Sequence, residues 1–215
     1  MQTNTSSRAL ALAVWPETAN RIVQGVVLVV LGTAILAISA KVKVWQEPVP
    51  ITLQTFAVMA IAAAYGSRLA LATVALYLLE GVAGLPVFTN TPPAVAGPLY
   101  FLGTTGGFLL AFLPLAFIVG TAADRGWDRS PIKLFAAMIV ADIVVFAIGF
   151  AWLAFGTPLS AGLAKMLNAT EGTMGTGAAF AWSAGVAPFL LADLLKIVLA
   201  AALIPACWSF MGKRA

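Results

Sequence analysis

The chain has 215 residues, 61% of them apolar and only 9% charged, with a net charge of +4. A soluble domain carries roughly 45–50% apolar and about 25% charged residues, so this composition leaves too little polar surface for a water-soluble protein and makes lipid the solvent for most of the chain. With no histidine and a single cysteine, Cys207, the chain lacks the commonest general base and metal ligand and any disulfide framework, which argues against most enzyme classes.

Residues 1–21 hold Arg8, a short apolar stretch from Ala9 to Trp15, and Pro16-Glu17. With no convincing small-residue cleavage site after the stretch, the segment is read as a cytoplasmic or interfacial tail. Ile22 to Ala40 is uncharged and long enough to cross a ~30 Å hydrocarbon core, and Lys41 and Lys43 close it. Thr52 to Tyr65 and Leu69 to Val82 are two short spans, expected to tilt, joined by a tight turn at Gly66-Ser67-Arg68. Pro86, Pro92, Pro93 and Pro98 break the next stretch into a loop. A fourth span then runs from Thr104 to Ala122, a fifth from Ile132 to Phe155 and a sixth from Ala187 to Phe210. Between the last two, residues 156–186 form a Gly/Thr/Ser/Ala-rich loop with a short helix at Ala161 to Asn168. The expected fold is an all-α integral membrane protein, a bundle of six transmembrane helices, with a single membrane domain over 22–212 and a cytoplasmic tail at 213–215.

Basic residues orient the bundle. Arg8, Arg21, Arg68, Arg125, Arg129, Lys133, Lys213 and Arg214 fall on one side, against Lys41, Lys43 and Lys165 on the other. That asymmetry places both termini in the cytoplasm and gathers the long uncharged loops on the outer face, over a pocket. Basic residues at the ends of apolar runs mark a lipid interface, and no nucleic-acid partner is expected.

Charges inside spans cost roughly 2.5–3.5 kcal/mol each and are functional candidates. Four qualify: Glu80, Asp142, Asp193 and Lys196. Asp193 and Lys196 are three residues apart and share a helix face, ~9 Å and ~13 Å along the helix from Ala187. They either neutralise one another as a buried pair or offer their spare lone pairs and ammonium protons to a polar ligand. Glu80 ends the third span and reads as an interfacial charge. Asp142 is open among a packing partner, an interhelical hydrogen bond and a site role. Thr104-Thr105-Gly106-Gly107 combines free helix-start N–H groups with hydroxyls and glycines, which suits an anion as well as it suits an ordinary N-cap. Gln54, Phe88, Asn90 and Tyr100 add amides and aromatic rings beside the outer loops. There is no Walker-type phosphate loop and no Ser/His or Cys/His pairing.

These pieces occur together in one family. Ser39-Ala40-Lys41-Val42, the run from Pro48 to Phe56, Leu76-Tyr77-Leu78 with Glu80-Gly81, Gly84 to Phe88, Gly103 to Phe108, Arg125 to Arg129, and Pro188-Phe189 followed by Asp193 and Lys196 resemble the biotin-specific substrate-binding subunit (S component, BioY family) of energy-coupling-factor transporters. The motifs run in order over nearly the whole chain and are jointly specific. Thr104 stands where the family usually has proline and Ala192 where it usually has glycine. The resemblance implies a non-enzymatic, multi-pass subunit of a bacterial inner membrane that captures biotin on its outer face. It further implies a transmembrane coupling subunit and ATPase subunits as partners, and no cofactor in this chain, since ATP is used only by the partners. Asp193 and Lys196 inherit a ligand role from the family's sixth-helix motif, and Gln54, Phe88, Asn90, Tyr100, Thr104, Thr105 and Gly106 complete the expected substrate-binding set. The alternatives are an S component for another small vitamin or a stand-alone ion-coupled carrier.

Overall fold

The structure, a computed structural model, describes residues 10–13, 20–45, 49–92, 96–156 and 177–212. Most of the N-terminal tail, Lys165, the short helix expected at 161–168 and the tail at 213–215 lie outside the described residues. The helices are α1 (Leu10–Ala13), α2 (Arg21–Lys41), α3 (Gln54–Val82), α4 (Gly106–Asp124), α5 (Pro131–Ala151), α6 (Ala178–Gly185) and α7 (Leu190–Gly212). Five segments are long and apolar enough to cross a membrane: Arg21–Lys41, Gln54–Val82, Gly106–Asp124, Pro131–Gly156 and Leu190–Phe210. Asn20 caps α2, its side chain accepting from the Ile22 amide at 2.9 Å.

The 29-residue α3 is not one rod. Gly66 in its middle has φ 75° and ψ 174°, a backbone that glycine adopts without the Cβ penalty other residues meet. In a straight helix Gln54 and Tyr77 would lie about 35 Å apart, yet the Gln54 amide donates to the Tyr77 hydroxyl at 2.7 Å. The chain therefore folds back at Gly66 into antiparallel halves, 54–65 and 67–82. The expected turn at Gly66-Ser67-Arg68 is where the reversal occurs. Asp124 at the end of α4 holds it, accepting from the Ser67 amide at 3.1 Å and the Ser67 hydroxyl at 2.5 Å. Asp124→Ala should lower stability by about 1 kcal/mol, as loss of an N-terminal helix cap does. Gly66→Ala should cost more, because it adds the left-handed penalty to a Cβ placed 2.2 Å from Asp124 Oδ1. Thermal unfolding in detergent reads both.

The halves of α3 pack against α4 and α2, α4 packs against α5, and α7 closes on α5 and α3. The core between them is aliphatic and aromatic, with Leu36, Met59, Val74, Leu115, Leu134, Met138 and Ile197 fully buried. At one end Asp128 is buried and accepts from the Trp208 indole at 2.5 Å, with the Arg129 guanidinium 4.5 Å above the Trp208 ring. This fastens the α4–α5 connection to the end of α7. Burial pushes the Asp128 carboxyl up from its ordinary range, and the Trp208 hydrogen bond opposes it.

Three features depart from the expectation. A short antiparallel ladder, β1 (Lys43–Trp45) with β2 (Ile51–Thr52), forms in the connection after α2. The eight-residue α6 occupies part of the stretch read as loop, because Ala178, Ala179, Ala181 and Ala184 are helix formers that outweigh the flanking glycines. The last helix begins at Leu190 rather than Ala187, since residues 186–189 form a turn containing Pro188.

Candidate functional site

At the end of the bundle away from Asp124 and Asp128 lies a concave pocket where the polar and aromatic side chains of several elements meet. It is built by Thr52 of β2 with Gln54 and Thr55 at the start of α3, Tyr100 and Thr105 before α4 with Phe108 in its first turn, Val145 and Phe146 of α5, and Phe189 of the turn before α7 with Asp193 and Lys196 in its first turns. Most of the wall is apolar.

Asp193 is 1% exposed. Its Oδ1 accepts from Lys196 Nζ at 2.6 Å and from the Thr55 hydroxyl at 2.9 Å, while Lys196 Nζ also donates to Thr55 Oγ1 at 3.0 Å. The i,i+3 spacing thus yields a real ion pair, tied to α3 through Thr55. No described residue bonds the second carboxylate oxygen, Oδ2, so the pair keeps an acceptor and an ammonium proton for a guest.

Gln54 lines the same cavity but is largely spent on the protein. Its Nε2 donates to Tyr77, and its Oε1 accepts from the Thr89 hydroxyl at 3.0 Å and the Thr52 hydroxyl at 3.4 Å. Tyr77 in turn donates to the Val87 carbonyl at 3.1 Å. This network joins β2, both halves of α3 and the 85–92 loop, and it organises the wall.

The loop is also clasped from the end of α2 and from β1. Lys41 Nζ donates to the Phe88 carbonyl at 2.6 Å and to the Thr91 carbonyl, and Lys43 Nζ to Asn90 Oδ1 at 3.1 Å. Asn90 and Phe88 therefore stand behind the cavity rather than on its surface. Phe88 is fully buried and stacks on Tyr100 with ring centroids 4.7 Å apart. Tyr100 faces the cavity, where burial raises its phenol above the ordinary range, opposed by hydrogen bonds from Thr105 and the Asn90 amide. A neutral Tyr100 keeps its proton to donate.

Of the Thr104–Gly107 motif, Thr105 lines the cavity, Thr104 lies in the turn before α4, and Gly106 opens the helix. Gly106 is required for approach: a Cβ there would sit 1.8 Å from the Phe101 carbonyl oxygen. So five expected residues line the cavity (Gln54, Tyr100, Thr105, Asp193 and Lys196), and Phe88, Asn90, Thr104 and Gly106 do not. Sequence reasoning missed Thr55, Thr89, Phe108, Phe146 and Phe189. For Thr55 the available signal was its place beside Gln54. Glu80, half-buried at the end of α3, stays outside the cavity lining.

The model of the BioY family matches residues 8–213 of this chain. The chain belongs to the BioY family. Among BioY proteins it is 33% identical over 175 residues to the biotin transporter BioY2 of Lactococcus lactis, covering 80% of this chain and 83% of that one. It is 36% identical over 154 residues to the biotin transporter BioY of Rhodobacter capsulatus, covering 70% and 74%, and 31% identical over 170 residues to that of Thermotoga maritima, covering 79% and 86%. The crystal structure of the S-component for biotin from an ECF-type ABC transporter superposes with a TM-score of 0.69 at 21% identity, over 90% of this chain and 95% of that one. At that identity the likeness is one of fold. Family and apolar helices together make this BioY chain a multi-pass membrane protein.

Proposed function

We propose that this protein is the biotin-binding S component of an uptake transporter. It captures biotin at the outer face of a bacterial inner membrane, for import driven by a partner coupling subunit and ATPases. The observation that carries the reading is the family match over residues 8–213. The protein is a transporter subunit, not an enzyme, and it needs no cofactor of its own. Counting the halves of α3 separately, the chain crosses the membrane six times within one domain over 22–212, both termini in the cytoplasm. The excess of arginine and lysine at the Asp124–Asp128 end supports this orientation, and it turns the cavity outward.

Biotin's ureido ring carries two N–H donors and one carbonyl acceptor. In this reading Asp193 Oδ2 accepts from the ring, Lys196 donates to its carbonyl, and the thiophane and valeryl carbons lie against Phe108, Phe112, Phe146 and Phe189. Tyr100 and Thr105 complete the polar side, and Gln54, Phe88, Asn90, Thr104 and Gly106 hold the contacting groups in place. Calorimetry with biotin on the purified chain in detergent tests the proposal. Saturable one-to-one binding at or below micromolar concentration is expected, with ATP-dependent uptake only when the partner subunits are co-expressed. Absence of binding in that range overturns it.

A further inference from the structure

One buried ionisable group has no part in the reading above. Asp142, on α5, is 7% exposed, and its Oδ1 is buried with no hydrogen-bond partner among the described residues. Buried carboxylate oxygens seldom lack a donor. Asp142 sits one helical turn before Val145 and Phe146, which line the cavity, so it lies just beneath the cavity on the cytoplasmic side. Its charged neighbours are Asp193 and Lys196 on α7, the helix packed against α5. The facing helix α4 carries no charge before Asp124 at its far end, and α6 carries none. Lys133, nine residues back on α5, is ~13 Å down the axis. Two carboxylates thus lie within the electrostatic reach of one ammonium, which is bonded to Asp193 alone.

Lysine is suited to such sharing, as a point charge with three donors on a flexible four-carbon stem. In the present arrangement Lys196 is spent on Asp193 and Thr55, the position from which it reaches the cavity. Asp142 Oδ1, unlike Asp193 Oδ1, is left without a donor among the described residues. We propose that Asp142 is a positioning residue that competes with the ligand site for the Lys196 ammonium, an inner acceptor beneath Val145 and Phe146 with which the side chain exchanges. Resting on the biotin reading, the proposal makes Asp142 a weakener of binding and an aid to release.

The expected sign is opposite to that of structural damage. Asp142→Asn removes the competing charge and keeps the shape, so Lys196 stays with Asp193, and biotin should bind about three- to tenfold more tightly with slower dissociation. Asp142→Glu should restore wild-type affinity. Folded Asn-variant protein whose affinity is unchanged or weaker overturns the proposal while leaving the biotin reading intact. Wild-type protein that binds no biotin overturns the biotin reading instead. A ligand-free measurement then decides on Asp142: the Lys196 side-chain nitrogen resonance, assigned by its loss in Lys196→Met, should shift in Asp142→Asn, and an unmoved resonance overturns the competition.

Discussion

Asp193→Ala should weaken biotin binding by roughly 10²–10³-fold, equivalent to about 3–4 kcal/mol. The substitution removes the acceptor proposed for the ureido N–H groups, and it strands Lys196, whose ammonium is bonded to Asp193 at 2.6 Å within the bundle. An uncompensated buried charge costs roughly 3–5 kcal/mol when its partner is deleted, so the variant should also unfold at lower temperature. The two losses separate in Asp193→Ala/Lys196→Met, which discards both charges. That double variant should recover much of the stability and none of the binding, because packing tolerates a neutral pair while recognition does not. Calorimetric titration beside thermal unfolding of the three proteins checks the claim, and full-strength binding by Asp193→Ala would remove Asp193 from the site.

The second large effect is expected at Gly106, which touches no ligand. A methyl group there would lie 1.8 Å from the Phe101 carbonyl oxygen and 2.7 Å from its carbon. Both belong to the backbone, so no side-chain rotation relieves the clash. The short 3₁₀ turn Pro98–Leu102 and the start of α4 must separate, and with them Tyr100 and Thr105 leave the cavity wall. Overpacking of this kind costs about 1–3 kcal/mol, and Gly106→Ala should also weaken biotin binding about tenfold or more. Gly25→Ala is the control, a helical glycine where an added Cβ meets only Leu69 Cδ2 at 3.5 Å, an ordinary van der Waals contact. If Gly106→Ala unfolds and binds like the parent, the backbone approach at the head of α4 is unimportant.

The spans were legible because each apolar run is bounded by lysine, arginine, proline or glycine, and hydrocarbon admits little else. The Asp193–Lys196 pair was legible for the same reason: a charge in an apolar helix stands out, and three-residue spacing fixes the shared face. The aromatic wall was not. Phe108, Phe146 and Phe189 lie in segments apolar on every side, so no polar face marks which way a ring points. Phe88 shows the converse difficulty. An aromatic residue in a loop looks like a site residue, but here it packs fully buried behind Tyr100. Thr55 carries no mark in the sequence, because its role depends on α7 packing beside α3, a contact 138 residues distant along the chain. The alanine-rich α6 and the two-residue strand Ile51–Thr52 are too short for any periodicity to register.

The reversal at Gly66 acts far beyond its own turn. Each helix that follows inherits its direction of travel from the number of reversals before it. Were 54–82 a single rod of ~43 Å, longer than the ~30 Å hydrocarbon layer, the chain would emerge on the wrong face. The head of α4, the late part of α5 and the Asp193 end of α7 would then be carried to the side opposite Gln54 and Thr55. The binding cavity would be cut into two half-walls on opposite leaflets. In the six-crossing reading proposed above, one residue without a side chain thus decides the odd or even count of crossings, and with it whether the two halves of the pocket ever meet.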